Sequence, residues 1–325
     1  MTVARGAATV SRMGKDGAEE GLGRSEPERL RRYRVAGQTL DAPALPSGLY
    51  LVATPIGNLR DITLRALEIL AAADVIACED TRITRKLLNH YGIAAPLTPY
   101  HDHNAAQARP RLLARLQDGA AIALVSDAGT PLVSDPGYKL VRAVHEIGRP
   151  VIAAPGASSV LAALAVAGLA TDRFHFEGFL PPKQAARQSR IAELRRIAAT
   201  LVLFETAPRL AGALADLAAG LGRREAAICR ELTKLHEEVR RGELAMLAAD
   251  YASASEPRGE IVLVIGPPTE DDRPSPADID RLLRAALARR SMKDAVAEIA
   301  SVTGRSRGEV YRRALALKDQ GDGAH

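Results

Sequence analysis

A chain of 325 residues with a net charge of +5 and a pI near 9.3 is long enough for two folded domains and permits a polyanionic partner. Aromatic residues make up only 3% and tryptophan is absent, which excludes ring stacking as the main grip on a nucleic acid. The two cysteines, Cys78 and Cys229, lie in predicted strands and indicate neither a disulfide framework nor a metal site. Because no apolar run reaches the length of a membrane span and no signal-peptide core is present, we expect a cytoplasmic protein.

The first part of the chain divides into a leader and an α/β domain. Residues 1–46 are rich in Gly, Ala, Arg and Glu without sustained periodicity, which predicts a disordered leader. In residues 47–168, apolar strands alternate with helices, and Asp61 is the predicted N-cap of the first helix. Strands that are apolar on both faces indicate a parallel sheet covered on both sides. The predicted strands are Gly48–Thr54, Val75–Glu79, Ala121–Val125 and the run that begins at Val151.

A second α/β domain is predicted for residues 169–267. Phe174–Leu180 alternates like a strand of a new sheet, and the charged helix Ala185–Ala198 follows it. The joint near residues 168–174 is therefore expected to form a cleft between the two domains. Further strands are predicted at Thr200–Glu205, Ala226–Leu232 and Gly259–Gly266, with a helix at Pro208–Leu221 and a segment without a strand prediction at Arg241–Tyr251.

The C-terminal part has the pattern of a small all-α module. Pro267–Pro276 has the composition of a linker, and residues 277–320 carry three short helical patterns. Ser306 and Glu309 spell a capping box at the start of the last of these helices. This spacing resembles a helix-turn-helix that presents basic residues to nucleic acid. The alternative is a helical cap or a dimer element.

The most informative stretch is Leu124–Gly137, which reads LVSDAGTPLVSDPG. A buried strand enters it and a helix follows it, while its small residues let a ligand touch the backbone and Gly129 tolerates a positive φ. With Thr54–Leu59 and Cys78–Arg82, it resembles the loop series of the tetrapyrrole (corrin/porphyrin) methylase superfamily. The amino-acid sequences of these three segments resemble those of the branch that 2'-O-methylates a cytidine of 16S ribosomal RNA. Four further segments continue the series in order: Pro155–Ser159, Gly178–Lys183, Arg230–Lys234 and Arg258–Glu260.

This resemblance implies a methyltransferase that uses S-adenosylmethionine and acts on the small ribosomal subunit. It implies two α/β domains with the cofactor in the cleft between them, and a homodimer without a resident metal. Glu205 departs from the superfamily, which often has an apolar residue at this position. The residues that the resemblance assigns to the cofactor are Pro55, Asp127, Ala128, Gly129, Thr130, Val133, Ser158, Ser159, Glu205 and Leu232.

Chemistry at a ribose hydroxyl also calls for a base, because a 2'-hydroxyl is a poor nucleophile and general-base help contributes about 10²–10⁴-fold. The selected candidates are Glu79, Asp80 and Lys183, while Asp127, Glu205 and Glu231 are further carboxylates within the motifs. The run His101-Asp102-His103 is interpreted as a polar loop, since it lacks a downstream ligand cluster for zinc. The candidates for phosphate contacts are Arg60, Arg82, Lys183, Arg230, Arg312 and Arg313.

Two other functions fit parts of the sequence. A sister enzyme that methylates a tetrapyrrole, precorrin or diphthine-type substrate shares the core, but such enzymes usually end soon after the second domain, so residues 277–325 argue against it. A ligand-sensing regulator with a helix-turn-helix would need no reactive cleft, and a methyl-transfer assay would separate it. A nicotinamide dehydrogenase is disfavoured because no G-x-G-x-x-G follows the first strand.

Overall fold

The structure is a computed structural model that describes residues 31–134, 137–268, 276–303 and 305–322, with side chains described up to residue 317. Within these ranges, two five-stranded sheets form two α/β domains, and three helices form a C-terminal module. The predicted fold class is thereby confirmed. The first thirty residues of the predicted leader and most of the predicted linker lie outside the described residues.

A short hairpin precedes the first domain, formed by β1 (Arg32–Val35) and β2 (Gln38–Asp41). Tyr33 is buried against the first domain, and Arg31 pairs with Asp74 at 3.1 Å. The prediction of a disordered leader up to residue 46 is therefore wrong from residue 31 onwards. Two four-residue strands with a single buried side chain between them are too short to produce a recognisable period.

The first domain contains a parallel sheet with the strand order β5-β4-β6-β3-β7. The central strand β6 is buried at every position, which explains its unbroken apolar run. Thr63, rather than the predicted Asp61, is the N-cap of α1, because the Thr63 hydroxyl accepts a hydrogen bond from the Ala66 amide at 3.1 Å. The strands are β3 (Gly48–Val52), β4 (Val75–Cys78), β5 (Leu97–Pro99), β6 (Ala121–Val125) and β7 (Val151–Ala154), and the helices are α1 (Leu64–Ala72), α2 (Thr81–His90), α3 (Ala105–Gln117), α4 (Tyr138–Glu146) and α5 (Ser159–Ala167).

The second domain contains a mixed sheet with the order β11-β10-β12-β9-β8, in which only β8 and β9 are parallel. Strand β11 was not predicted, because it forms the edge of the sheet and its sequence EVRRGE is charged. The strands are β8 (Phe174–Phe179), β9 (Thr200–Thr206), β10 (Glu225–Arg230), β11 (Glu238–Glu243) and β12 (Glu260–Ile265), and the helices are α6 (Gln184–Leu194), α7 (Leu210–Leu221) and α8 (Leu244–Ser253).

Helix α5 joins the two domains. It follows the last strand of the first sheet, yet its buried side chains, among them Val160 and Leu164, pack on Val262 and Val264 of the second sheet. Its apolar character on all sides fits this position between two layers. Because Ser158 caps its first turn, the N-terminus of α5 is fixed where the two sheets approach each other.

The C-terminal module consists of α9 (Pro276–Leu287), α10 (Met292–Thr303) and α11 (Arg307–Asp322). The three helices share their own core of buried side chains. Ser306 and Glu309 form the predicted capping box: the Glu309 amide donates to the Ser306 hydroxyl at 3.2 Å, and the Ser306 amide donates to Glu309 Oε2 at 3.1 Å. Across the described parts of the chain, no helix combines the length and apolarity needed to cross a bilayer.

Candidate functional site

Three loops meet at the carboxyl edge of the first sheet and are tied together there. Thr54, after β3, and Gly129, after β6, exchange two backbone hydrogen bonds of 2.9 and 3.0 Å. The Thr130 hydroxyl donates to the Ala157 carbonyl at 3.2 Å and so links the β6 loop to the β7 loop. The buried Ser126 hydroxyl donates to the Gly129 carbonyl at 3.1 Å. These hydrogen bonds therefore fix the backbone of this edge.

A cavity of about 370 Å³ lies between these loops and the second sheet, where the resemblance in sequence predicts the cofactor, and we call it the cofactor cavity. Its volume falls within the usual range for sites of cofactors and other small molecules. Every residue that the sequence analysis assigned to the cofactor lines it except Pro55, which lines a neighbouring cavity. The sequence analysis missed several other lining residues, among them Ile56, Phe179, Phe204, Cys229, Gly259 and Val262.

Strained backbone occurs on both sides of the cofactor cavity. In the β6 loop, Leu132 and Ser134 have φ values of 74° and 63°; in the loop after β10, Glu231 and Thr233 have 52° and 65°. Residues other than glycine rarely adopt this left-handed conformation, and it persists where the surrounding structure enforces it, often at ligand sites. Leu232 stands between two such residues and lines the cavity. Asp135 and Pro136 of the β6 loop lie outside the described residues.

Glu205 is the buried acid of the cofactor cavity, with only 3% of its surface exposed. Its Oε1 accepts a hydrogen bond from the Thr206 amide at 2.7 Å and lies 3.2 Å from Arg209 Nε. Its Oε2 is buried and has no hydrogen-bond partner within the described chain. A buried acceptor of this kind is costly unless a ligand supplies the donor. S-adenosylmethionine carries an amino group and ribose hydroxyls, so the residues present fit this cofactor.

Three acids, Glu79, Asp80 and Asp127, stand at the ends of β4 and β6. The Asp80 amide donates to Asp127 Oδ1 at 3.0 Å, while the Asp80 carboxylate caps α2 and pairs with Arg82 at 2.6 Å. Hydrogen bonds from Arg82 lower the pKa of Asp80 to about 2, which makes it a poor base and argues against its predicted catalytic role.

The other two acids have the opposite electrostatics. Burial, followed by repulsion from Asp127 and Asp102, raises the pKa of Glu79. Burial also raises the pKa of Asp127, and repulsion from Asp80 adds to this. A raised pKa suits a general base. Asp127 lines the cofactor cavity whereas Glu79 does not, so Asp127 is better placed to meet a reacting group.

The structure separates the predicted RNA-binding residues by their surroundings. Lys183 is exposed at the N-cap position of α6 and does not line the cofactor cavity. Arg230 is held by Glu238 at 3.0 Å and by the Arg258 carbonyl at 3.2 Å. Arg60, Arg82 and Arg312 are exposed as well, and Arg82 is also paired with Asp80.

Arg313, also predicted to contact RNA, is engaged inside the C-terminal module. It forms a two-pronged ion pair with Asp280, in which Nη2 and Oδ2 lie 2.9 Å apart, and it donates to the Pro276 carbonyl at 3.1 Å. This pairing holds α11 against α9. Sequence alone does not distinguish Arg313 from its exposed neighbour Arg312, because the pairing with Asp280 depends on how the helices pack.

Comparison with known proteins identifies relatives of both parts of the chain. The family model for tetrapyrrole (corrin/porphyrin) methylases matches residues 48–248, and the model for the RsmI C-terminal HTH domain matches residues 273–318. The chain is 53% identical over 294 residues to the ribosomal RNA small subunit methyltransferase I of Mesorhizobium japonicum. This alignment covers 89% of this chain and all of that protein. It is 45% identical over 276 residues to the protein of the same name from Escherichia coli O157:H7, covering 84% of this chain and 96% of that protein.

Among solved structures, the fold is similar to that of a diphthine synthase, with a TM-score of 0.53 and 19% identity over 67% of this chain and 89% of that one. A cobalt precorrin-4 methyltransferase matches with a TM-score of 0.51 and 16% identity over 67% of this chain and 94% of that one. At these identities the likeness extends to the fold alone.

Proposed function

Because the chain belongs to the tetrapyrrole methylase family, and within it to the small-subunit ribosomal RNA methyltransferases I, we propose that it methylates the 2'-hydroxyl of a cytidine in 16S ribosomal RNA. The protein is a methyltransferase, and its methyl donor is S-adenosylmethionine. We infer a cytidine ribose as the acceptor because the loop sequences at Thr54–Leu59, Cys78–Arg82 and Leu124–Gly137 resemble those of the ribosomal RNA branch of the family.

One observation supports this proposal above the others: the cofactor cavity and the C-terminal module occur in the same chain. The cavity offers hydroxyls at Thr130, Ser158 and Ser159 and a Glu205 carboxylate oxygen that has no hydrogen-bond partner among the described residues, and these groups suit an adenosyl group and its ribose. The module adds a helical unit of its own beyond the catalytic core. A tetrapyrrole or diphthine-type substrate would have no use for that unit, so the small-substrate alternative is disfavoured.

The proposal is tested by mapping 2'-O-methylation along 16S ribosomal RNA from cells with and without this protein. We expect one cytidine to lose its ribose methyl group when the protein is absent and to regain it on complementation. An unchanged map would contradict the proposal, as would a change confined to base methylation.

The C-terminal module is proposed to contact RNA phosphates through Arg312. Its side chain is exposed on α11, whereas Arg313 is matched by Asp280. We expect Arg312→Glu to weaken binding to small subunits and to reduce the slope of log K against log salt by about 1, the contribution of one phosphate contact. Arg312→Lys, which keeps the charge, is the control, and filter binding over a salt series gives both slopes. Equal slopes for Arg312→Glu and the unaltered protein would assign α11 a purely structural role.

We also propose a cytoplasmic homodimer. Large apolar side chains are exposed near the loops of the cofactor cavity, including Tyr138 at 64% and Leu161 at 58%, and a second copy would cover such a surface. Light scattering is expected to give twice the chain mass at all practical concentrations. A monomer mass across a wide concentration range would reject the dimer.

A further inference from the structure

A second cavity of about 290 Å³ adjoins the cofactor cavity, and of the residues assigned to the cofactor only Pro55, Asp127 and Ala128 line it. It lies between α2, the loop after β3 and the loop after β6, and Lys234 of the second domain closes one side. The two cavities have a common wall formed by Ile56, Asp127, Ala128 and Glu260. A molecule in the second cavity would therefore lie next to the cofactor at these four residues.

The lining of the second cavity combines apolar and polar surfaces. Leu59, Ile83 and Leu87 provide apolar surface, while Thr54, Ser126 and Asp127 add polar groups. Such a mixture suits a nucleoside, whose flat base prefers apolar contact and whose ribose needs hydrogen-bond partners.

Lys86 and Lys234 line the second cavity together with the acids Asp127 and Glu260, and further cations are exposed on the neighbouring segments. Arg85 and Lys86 are exposed on α2, and Arg60 is exposed on the loop after β3. Lys234 stays charged in its ion pairs with Glu231 and Glu260 at 2.8 and 2.9 Å, because these two acids raise its pKa although burial alone would lower it. The phosphates on either side of an extruded nucleotide would meet positive charge here.

The second cavity differs from the cofactor cavity in most of its lining, because ten of its fourteen lining residues do not line the cofactor cavity. The stem of Lys234 packs so closely on Gly57 that no Cβ fits there, which brings the second domain against the loop after β3. The cofactor cavity is already of cofactor size without the extra volume. The space beyond the common wall is thus left for another molecule.

We propose that the second cavity receives the acceptor nucleoside of a flipped-out RNA nucleotide and brings its ribose hydroxyl to Asp127, at the border where the two cavities meet. This inference rests on the proposed function. In the reaction, the bond between the hydroxyl oxygen and the methyl carbon forms as the bond between that carbon and the sulfonium sulfur breaks. The sulfur keeps the electron pair and becomes a neutral thioether, and the hydroxyl proton passes to the Asp127 carboxylate and then to water.

Asp127 is suitably held for this role. Its Oδ1 is fixed by the Asp80 amide at 3.0 Å, and no other hydrogen bond to this carboxylate is found in the described ranges. One carboxylate oxygen is thus used for orientation, and the other is available to the acceptor. Its position on the common wall lets one carboxylate contact both reaction partners.

The first test fills the second cavity. Ile83 lines this cavity and is 42% exposed on α2. The larger side chain of Ile83→Trp therefore occupies part of the cavity without disturbing a buried core. Met246→Trp, at a side chain 67% exposed on α8, is the matched control. We expect Ile83→Trp to bind S-adenosylmethionine as the unaltered protein does in calorimetry, yet to methylate small subunits about 10²-fold more slowly, the loss expected for a misplaced acceptor. Transfer at the rate of Met246→Trp, or lost cofactor affinity, would overturn the proposal.

The second test measures occupancy without turnover. The native thiols of Cys78 and Cys229 are buried, and burial raises the pKa of both, that of Cys229 to about 11, so an introduced exposed thiol is the main target of a maleimide. We expect small subunits, with S-adenosylhomocysteine present, to slow alkylation of Ile83→Cys at least several-fold and to leave Met246→Cys unaffected. Equal alkylation rates with and without subunits would refute the assignment. If the unaltered protein methylates no ribosomal RNA, the proposed function fails, and this alkylation test still decides on the cavity.

Discussion

The Gly129→Val variant is expected to lose measurable affinity for S-adenosylmethionine while it keeps its fold. Gly129 has a φ of 81°, a conformation that strains any branched residue, and its backbone pairs with Thr54 at the cavity wall. A Cβ at this position would lie 3.3 Å from Ile56 Cγ2, so a valine would push the loop or project into the cofactor cavity. Titration calorimetry measures the affinity, and circular dichroism follows the fold.

The control for this variant is Gly119→Val. Gly119 has a φ of 94° in the turn before β6, and a Cβ there would meet nothing within 4 Å. Both variants therefore introduce a comparable backbone strain, but only one introduces it beside the cavity. Equal cofactor affinity in the two variants would remove the β6 loop from the cofactor site.

Glu205 is expected to show the second largest effect. Glu205→Leu removes the carboxylate oxygen that has no partner in the described structure, and we expect a loss of about 10- to 100-fold in S-adenosylmethionine affinity, the usual value of a hydrogen bond to a charged group. Glu205→Gln keeps the acceptor for the Thr206 amide and should lose less. Calorimetry on both variants compares how much the charge and the shape of the Glu205 side chain each contribute to cofactor affinity.

A matched control is available in the same domain. Glu177 on β8 is also largely buried and paired with an arginine, Arg190, at 2.6 Å, but it does not line the cofactor cavity. Glu177→Gln should lower the melting temperature without changing cofactor affinity. If Glu205→Leu also changed only the melting temperature, Glu205 would be a structural acid, and the donor for its Oε2 would have to be sought elsewhere.

The sequence predicts buried strands and the loops that follow them, but it does not predict strands at an edge or on the surface. The parallel sheet of the first domain was predictable because β6 and its neighbours are buried on both faces and therefore form continuous apolar runs. The loops assigned to the cofactor were predicted from their resemblance to the tetrapyrrole methylase motifs, whose small residues and glycines follow directly after those strands. The hairpin at Arg32–Asp41 and the edge strand β11 were not, since edge and surface strands expose charged residues that hide any alternation.

At the site, the sequence does not separate residues of the same type whose surroundings differ in the folded protein. Nothing in the sequence distinguishes Asp80 from Asp127, although the first is neutralised by Arg82 and the second lies between two cavities. Likewise, Arg312 and Arg313 are equivalent in sequence but not in the folded module. Phe179 and Phe204 reach the cofactor cavity only because the second sheet faces the first across α5. Contacts between elements that are distant in the chain decide these assignments.

The central claim is tested most directly by methyl transfer with purified components. Small subunits from cells that lack this protein are incubated with the purified chain and S-adenosylmethionine, and ribose methylation is mapped along the 16S ribosomal RNA. We expect one new 2'-O-methylcytidine, present with the unaltered protein and absent with Gly129→Val. A methyl group on a base, methylation at many positions, or no transfer by a protein that binds the cofactor would contradict the account.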